Sequence, residues 1–426
     1  MSGPLTSAGQ GAPPAFHLLA KPTGPICNLD CEYCFFLSKE MLYPGDRFRM
    51  ADDLLETYIR QLLEAHRTPE VTIAWQGGEP TMMGLDFFER SVELVEKHRK
   101  PWQRPEYTIQ TNGVLVDERW ARFFARHQFL VGLSVDGPRE IHDTYRVDKR
   151  GLGSFDRVMA GFEHLVAADV DVNVLCTVHA ANQDRALEVY RFFRDDMGIR
   201  FVQFIPIVER STEELLQIAN SGRSASERPL YVQHGDRVTD RSVDPEAYGR
   251  FLIEVFDEWV QRDVGEVYVQ MFDTALASWY GEPGGLCIFA ETCGLALALE
   301  HNGDLYSCDH FVEPDHLLGN IADTPMIDLV ASEQQVAFGR AKRDTLPQYC
   351  LDCDVRFACN GGCPKDRFIR TPDGEEGLNH LCAGYKEFFT HVGPAMTTMT
   401  QLLRQDRAPA EIMGMPQYRA DRRRPN

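Results

Sequence analysis

The chain is short of positive charge. Lys and Arg total 44 against 64 Asp and Glu, a formal net charge of -20. Sequence-independent nucleic-acid binding works through a basic surface, so no nucleic-acid partner is expected. Also missing is any apolar run approaching the roughly 20 residues that cross a bilayer, so no membrane partner is expected. Residues 1–15 are rich in Gly, Pro, Ser and Ala, with neither the basic start nor the apolar middle of a secretory signal. They read as a flexible N-terminus, too short to be a leader-peptide-binding domain. Without an export signal the chain is expected in the cytoplasm. In that reducing compartment its twelve cysteines point to metal or catalysis rather than to disulfides. At 426 residues, two or three domains are expected.

What is there begins with Cys27, Cys31 and Cys34, spaced C-x3-C-x2-C with Tyr33 just before the last. Close-set thiolates are soft ligands suited to zinc or an iron–sulfur cluster. Both want four ligands, so three local cysteines leave one position open for chemistry. A structural zinc knuckle with a distant fourth ligand is the alternative.

Around this loop the first half alternates strand and helix. Short apolar runs at 16–21, 71–75, 106–110, 129–135, 170–178 and 200–208 read as strands. Helical periods at 52–66, 85–98, 116–127, 155–167 and 184–196 lie between them. Six such units imply right-handed parallel crossovers, in a barrel-like or open sheet with its function at the C-terminal strand ends. The polar motifs fall there. Gln76-Gly77-Gly78-Glu79-Pro80 offers backbone amides at paired glycines and a carboxylate, Glu79, that could fix an amine by charge. Gln110-Thr111-Asn112-Gly113 is a hydrogen-bonding turn. Ser134, with Asp136-Gly137-Pro138 and Arg146 after it, could hold a ribose and a carboxylate. Val208 could add only backbone or van der Waals contact.

The stretch 209–243 loses periodicity and reads as a loop excursion. A helix is expected at 244–263, and 267–280 bridges to a second cysteine set. That set is Cys287, Cys293, Cys308, Cys350, Cys353, Cys359, Cys363 and Cys382, enough for two closed metal centres. Gly303 marks a hairpin joining 296–300 to 305–307. A two-zinc ribbon is the alternative. His301 and His310 read as satisfied polar histidines and Cys176 as a buried core thiol.

The cysteine loop, the Gly-Gly-Glu turn and the polar strand-end site resemble the radical S-adenosylmethionine (SAM) enzymes, and the second array resembles their SPASM extension. The resemblance implies a partial (β/α)6 TIM barrel followed by a cysteine-rich domain with two auxiliary clusters. It divides the chain at 16–243, 244–286, 287–385 and 386–426. It implies three 4Fe–4S clusters. Cys27, Cys31 and Cys34 hold the one that chelates SAM. Cys287, Cys293, Cys308 and Cys363 hold a second, and Cys350, Cys353, Cys359 and Cys382 a third. SAM contacts are implied at Tyr33, Gly78, Glu79, Ser134, Arg146 and Val208. Within this group Lys21-Pro22, Gln203-Phe204-Ile205 and Tyr306-Ser307-Cys308-Asp309 are similar to the anaerobic sulfatase-maturating enzymes. The longer N-terminus, the 209–243 excursion and the basic tail after Arg407 depart from that pattern.

That likeness implies oxidation of a cysteine or serine side chain of an unfolded sulfatase to Cα-formylglycine. A 5′-deoxyadenosyl radical takes a hydrogen atom from the β-carbon. Asp309 then takes a proton, and an auxiliary cluster the second electron. An Asp is a poor base unless burial or neighbours raise its pKa, and anionic thiolates nearby would do so. Flavodoxin or ferredoxin is the electron donor implied. Two rivals remain: a SPASM maturase that crosslinks a ribosomal peptide through a thioether or another bond, and a non-catalytic zinc scaffold.

Overall fold

The computed structural model describes residues 11–221 and 231–419. Residues 1–10, Ser224 and Ser226 of the excursion, and the tail from residue 420 lie outside them.

The six expected runs are strands: β1 (His17–Lys21), β2 (Glu70–Trp75), β3 (Arg104–Thr111), β4 (Phe129–Ser134), β5 (Val172–Val178) and β6 (Phe201–Pro206). Each pairs parallel with the next in chain order. Helices α1 (Asp52–Ala65), α2 (Leu85–His98), α3 (Glu118–Arg126), α4 (Arg139–Tyr145), α5 (Phe155–Ala167) and α6 (Ala186–Arg191) return the chain between them. The cause is visible in α1, where Leu55, Tyr58, Ile59, Leu62 and Leu63 share one buried face. Helix α3 starts where the Asp117 side chain accepts the N–H groups of Arg119 and Trp120. Helix α4 goes beyond the expectation, because seven residues are too few to display an apolar period. The helix expected at 184–196 begins at Ala186 and finishes as a π turn, Phe192–Asp196.

The excursion is a correction. Residues 209–243 are not all loop: β7 (Arg210–Ser211) pairs antiparallel with β8 (Arg237–Val238), and α7 (Glu213–Asn220) follows β7. Leu215, Leu216, Ile218 and Ala219 give α7 an apolar side, yet none of its residues is buried. Helix α8 (Pro245–Arg262) follows, capped by Asp244. The bridge at 267–280 is β9 (Tyr268–Val269) and α9 (Gln270–Tyr280), with β9 added parallel to β6.

The cysteine-rich region opens with the expected hairpin, β10 (Ala296–Glu300) and β11 (Asp304–Tyr306), and β12 (Leu317–Asn320) is added to it. Strand β10 lies parallel to β1, from His17 opposite Ala296 to Lys21 opposite Glu300. One ten-stranded sheet therefore runs β12-β11-β10-β1-β2-β3-β4-β5-β6-β9, its two edges unpaired with each other. The architecture is an open α/β barrel, continuous across the division drawn at 287. A long helix, Cys382–Leu403, packs on α8 and closes a second core around Phe251, Phe256, Phe272 and Phe388.

Candidate active site

The chain leaves β1 at Lys21 and enters the cysteine loop at the C-terminal mouth of the sheet. The loop is clamped from two sides. Gly78 N–H donates to the Gly24 carbonyl (2.8 Å), and Glu79 N–H to that of Ile26 (2.9 Å). On the other side Asp30 N–H donates to the Val147 carbonyl (2.8 Å), and Glu32 N–H to that of Tyr145 (3.0 Å). A Cβ on Gly78 would sit 2.1 Å from the Ile26 carbonyl oxygen. The glycine therefore serves the cysteine loop before any ligand. Gly78→Ala is expected to push Cys27 off its position and lower the iron retained after anaerobic rebuilding. Iron retained at the wild-type level would refute the clamp.

Cys27, Cys31 and Cys34 line a cavity of about 300 Å³. They stand around it rather than on one point: among the described residues no three His, Cys, Asp or Glu side chains share a single-ion site. Burial pushes the Cys31 thiol up to about 12 and that of Cys27 well above its ordinary value. Thiols so reluctant to ionise become ligands only against concentrated positive charge, as a metal cluster supplies. The Cys27 sulfur already accepts the Leu29 N–H (3.3 Å) and the Asn112 Nδ2 (3.5 Å), donors that favour the thiolate. The donor set fits a cluster with one iron left unserved by protein.

Tyr33, Gly78, Ser134, Arg146 and Val208 line this same cavity, and Glu79 does not. Glu79 is fully buried. Its Oε1 accepts from the Thr81 N–H (3.0 Å), Thr81 Oγ1 (2.5 Å) and Thr111 Oγ1 (2.8 Å), and its Oε2 from the Asn112 N–H (2.8 Å). Burial keeps its pKa above the usual carboxylate range even so. The Glu79 carboxylate thus joins two strand-end turns, and its neighbour Gly78 lines the cavity. Arg146 is likewise committed, donating from Nε to Asp136 Oδ2 (2.9 Å). Ser134 Oγ accepts from Gln110 Nε2 (2.8 Å). The Val208 carbonyl accepts from the Tyr231 hydroxyl (2.9 Å), leaving its side chain for contact.

Asp136 is the hub that sequence reasoning missed. Fully buried, it accepts from the Tyr33 hydroxyl (2.6 Å), the Thr177 N–H (3.0 Å) and Thr177 Oγ1 (2.6 Å) besides Arg146. Burial alone would raise its pKa; the Arg146 guanidinium and His179 hold it well below the carboxylate range. Its partners are 10 to 103 residues away, so no local pattern foretells them.

Asp309 enters the cavity from the cysteine-rich side, with His310 and Cys363. It meets a cation as well as the thiols of Cys308 and Cys287, on which its charge acts. Lys21 Nζ lies 2.7 Å from Asp309 Oδ1 and 3.3 Å from Glu300 Oε1, under the Phe36 ring at 4.8 Å. Burial would lower the Lys21 pKa; Asp309 and Glu300 together hold it above the usual value. His310 Nδ1 lies 3.8 Å from Cys363 Sγ, and burial pulls its pKa down to about 4. His301 sits instead beside Asp46 (3.2 Å) and Glu300, away from any cysteine contact.

The eight remaining clustered thiols part into two sets by which of them resist one another's ionisation. After burial, Cys363 and Cys287 raise Cys308, while Cys287 raises Cys293 and Cys363. Cys382, Cys350 and Cys353 raise Cys359 in the same way. A cavity of about 20 Å³ is lined by Cys350, Cys353, Cys359 and Cys382. Cys176 stands apart in the core with its sulfur 3.5 Å from the Asp136 carbonyl.

Two family models match: the radical SAM superfamily over residues 22–193, and an iron–sulfur cluster-binding domain (SPASM) over 287–354. The chain is 43% identical to a serine-type anaerobic sulfatase-maturating enzyme of Bacteroides thetaiotaomicron, covering 93% of this chain and 94% of that one. It is 32% identical to a cysteine-type anaerobic sulfatase-maturating enzyme of Clostridium perfringens, covering 90% and 98%. The solved structure described as native anSMEcpe with bound AdoMet and Cp18Cys peptide superposes with a TM-score of 0.78 at 32% identity, over 92% of this chain and all of that one.

Proposed function

The chain belongs to the anaerobic sulfatase-maturating enzymes of the radical SAM superfamily, and on that footing we propose that it oxidises a cysteine or serine side chain of an unfolded sulfatase to Cα-formylglycine. The observation that carries this reading is one continuous cavity. It joins Cys27, Cys31 and Cys34 at the sheet mouth to Asp309 and Cys363 of the cysteine-rich region. A substrate side chain there lies within reach of a radical source and a base together.

Cys27, Cys31 and Cys34 would hold the SAM-binding cluster. Cys287, Cys293, Cys308 and Cys363 would hold one auxiliary cluster, and Cys350, Cys353, Cys359 and Cys382 the other. Bound there, SAM and its cluster supply the hydrogen-abstracting radical chemistry of the family, which no side chain can provide. The protein does the rest. Gly78 offers backbone to the methionyl end of SAM, and Ser134 and Arg146 present polar groups held by Gln110 and Asp136. Tyr33 and Val208 wall the cavity. Loss of one hydrogen atom from the substrate β-carbon leaves one proton and one electron still to go. We assign the proton to the Asp309 carboxylate, whose Oδ1 pairs with Lys21, and the cysteine sets would hold the clusters that could accept the electron. A thioaldehyde made from cysteine is hydrolysed to the aldehyde; serine gives it directly. The site sits in a cytoplasmic protein supplied with electrons by a flavodoxin or ferredoxin.

The test is anaerobic incubation of the rebuilt enzyme with SAM, dithionite and peptides bearing Cys-x-Pro-x-Arg or Ser-x-Pro-x-Arg. The expected product captures a hydrazide tag at the former Cys or Ser and appears with 5′-deoxyadenosine. A product that has lost two hydrogens, takes no tag and carries an internal thioether would establish the crosslinking maturase instead.

A further inference from the structure

Several buried cations in this protein come with carboxylates. Arg146 has Asp136, Lys21 has Glu300 and Asp309, Arg241 has Glu209, and Lys365 has Asp366 at 2.9 Å. Four cations depart from that pattern and meet carbonyls instead: Lys39 and Arg210, which reach carbonyls of the 209–243 excursion, and Lys342 and Arg367, beside the cysteine sets. Lys342 is 1% exposed. Its Nζ donates to the carbonyls of Cys287 (2.6 Å) and Ile288 (2.9 Å). Half-buried Arg367 donates from Nε to the Gly361 carbonyl (3.0 Å) and from Nη2 to those of Asn360 (2.8 Å) and Gly362 (3.3 Å). From Nη1 it reaches the carbonyl of Lys342 itself.

The backbone is bent to make this possible. Asn360, Gly361 and Gly362, the residues between Cys359 and Cys363, all have left-handed φ, at 46°, 72° and 63°. Three successive carbonyls thereby face one guanidinium, and a Cβ on Gly361 would meet Arg367 Nη2 at 2.7 Å. Carbonyl dipoles solvate a buried cation but do not neutralise it, and a buried charge without a counter-charge is costly. The anions available are sulfurs. Burial pulls the pKa of both cations down, and ionised sulfurs oppose it: Cys293, Cys363 and Cys287 at Lys342, and Cys350, Cys363, Cys359 and Cys293 at Arg367. Lys342 thus faces one cysteine set, and Arg367 stands between both.

We propose that Lys342 and Arg367 are the fixed counter-cations of the two auxiliary clusters, and that they ease each cluster's one-electron reduction. This rests on the reading that both sets hold iron–sulfur clusters. A 4Fe–4S core with four thiolates is an anion, and accepting an electron adds one negative charge. A fixed cation nearby stabilises the reduced form more than the oxidised one. The couple balances simply: the substrate radical gives up one electron, its proton leaves separately, and the cluster is reduced by one. The cations favour that transfer in the direction the reaction needs.

The experiment is potentiometric titration followed by electron paramagnetic resonance on the full-length, anaerobically rebuilt enzyme. Lys342→Met is expected to make one auxiliary cluster at least tenfold harder to reduce, a shift of ~59 mV toward negative potential for a one-electron couple. Arg367→Met is expected to shift both, and Lys342→Arg neither. The cluster on Cys27, Cys31 and Cys34 is the internal standard and should not move. Auxiliary potentials unchanged in both Met variants, with iron retained, would overturn the proposal. If Lys342→Met sheds iron that Lys342→Arg keeps, the counter-charge is supported; loss in both would overturn it. Wild-type enzyme that binds only about four irons, one cubane's worth, would defeat the cluster reading beneath it.

Discussion

Asp309→Asn is expected to cut aldehyde formation by about 10²- to 10⁴-fold, the usual worth of a positioned general base, while cleavage of SAM continues. The change keeps the shape of the side chain and removes its capacity to take a proton. It also leaves Lys21 with Glu300 alone, at 3.3 Å. That ion pair makes the choice of variant important. Lys21 is buried between two carboxylates, so Lys21→Met would strand both charges and cost about 3–5 kcal/mol of stability. A defect there would say nothing about proton transfer. With Asp309→Asn, 5′-deoxyadenosine by chromatography reads the SAM half-reaction, and hydrazide-tagged peptide by mass spectrometry reads the product. An unchanged aldehyde yield removes Asp309 from the role of base. Loss of both products together would point to a disturbed cavity instead.

Much of the scaffold was legible because it is local. Six apolar runs and the helical periods between them set six parallel strands, and C-x3-C-x2-C placed the loop at their mouth. The hairpin at Gly303 needed only a turn signal, and its φ of 93° shows why glycine is there. What escaped is non-local or unpatterned. Asp136 joins residues from three other segments, and nothing near it in sequence says so. Lys21 stood out only as part of a likeness, although a charged residue ending a buried strand is itself a signal that a partner waits. Strand β10 adds to β1 from almost 280 residues away, and no periodicity reports a partner. Helix α7 was missed because it is only eight residues long, set among polar residues. Glu79 was assigned to the ligand because a carboxylate beside glycines suggests an amine. The fold also surrounds it with four donors, which no local pattern announces.

The same separation of local sets predicts a second large effect. Cys31→Ala is expected to abolish SAM cleavage entirely, yet to leave about eight of about twelve irons, four for each surviving cubane. Cys31 stands with Cys27 and Cys34 around the large cavity. Cys350, Cys353, Cys359 and Cys382 line a different one. After burial, the charges that act on the Cys31 thiol include Arg146, Cys34, Asp136 and Asp30. Two thiolates cannot hold a four-iron core while leaving one iron for SAM, so the chemistry should vanish rather than weaken. Cys359→Ala makes the opposite cut. It should cost about four irons as well, but SAM should still be cleaved, because the loop clamped by Gly78, Glu79, Tyr145 and Val147 is untouched. Iron analysis and 5′-deoxyadenosine on the two variants side by side check both halves. If Cys31→Ala loses all its iron, the three sets fold as one unit and their independence is wrong. If Cys359→Ala stops SAM cleavage at full occupancy of the first cluster, the auxiliary set takes part in the radical step itself.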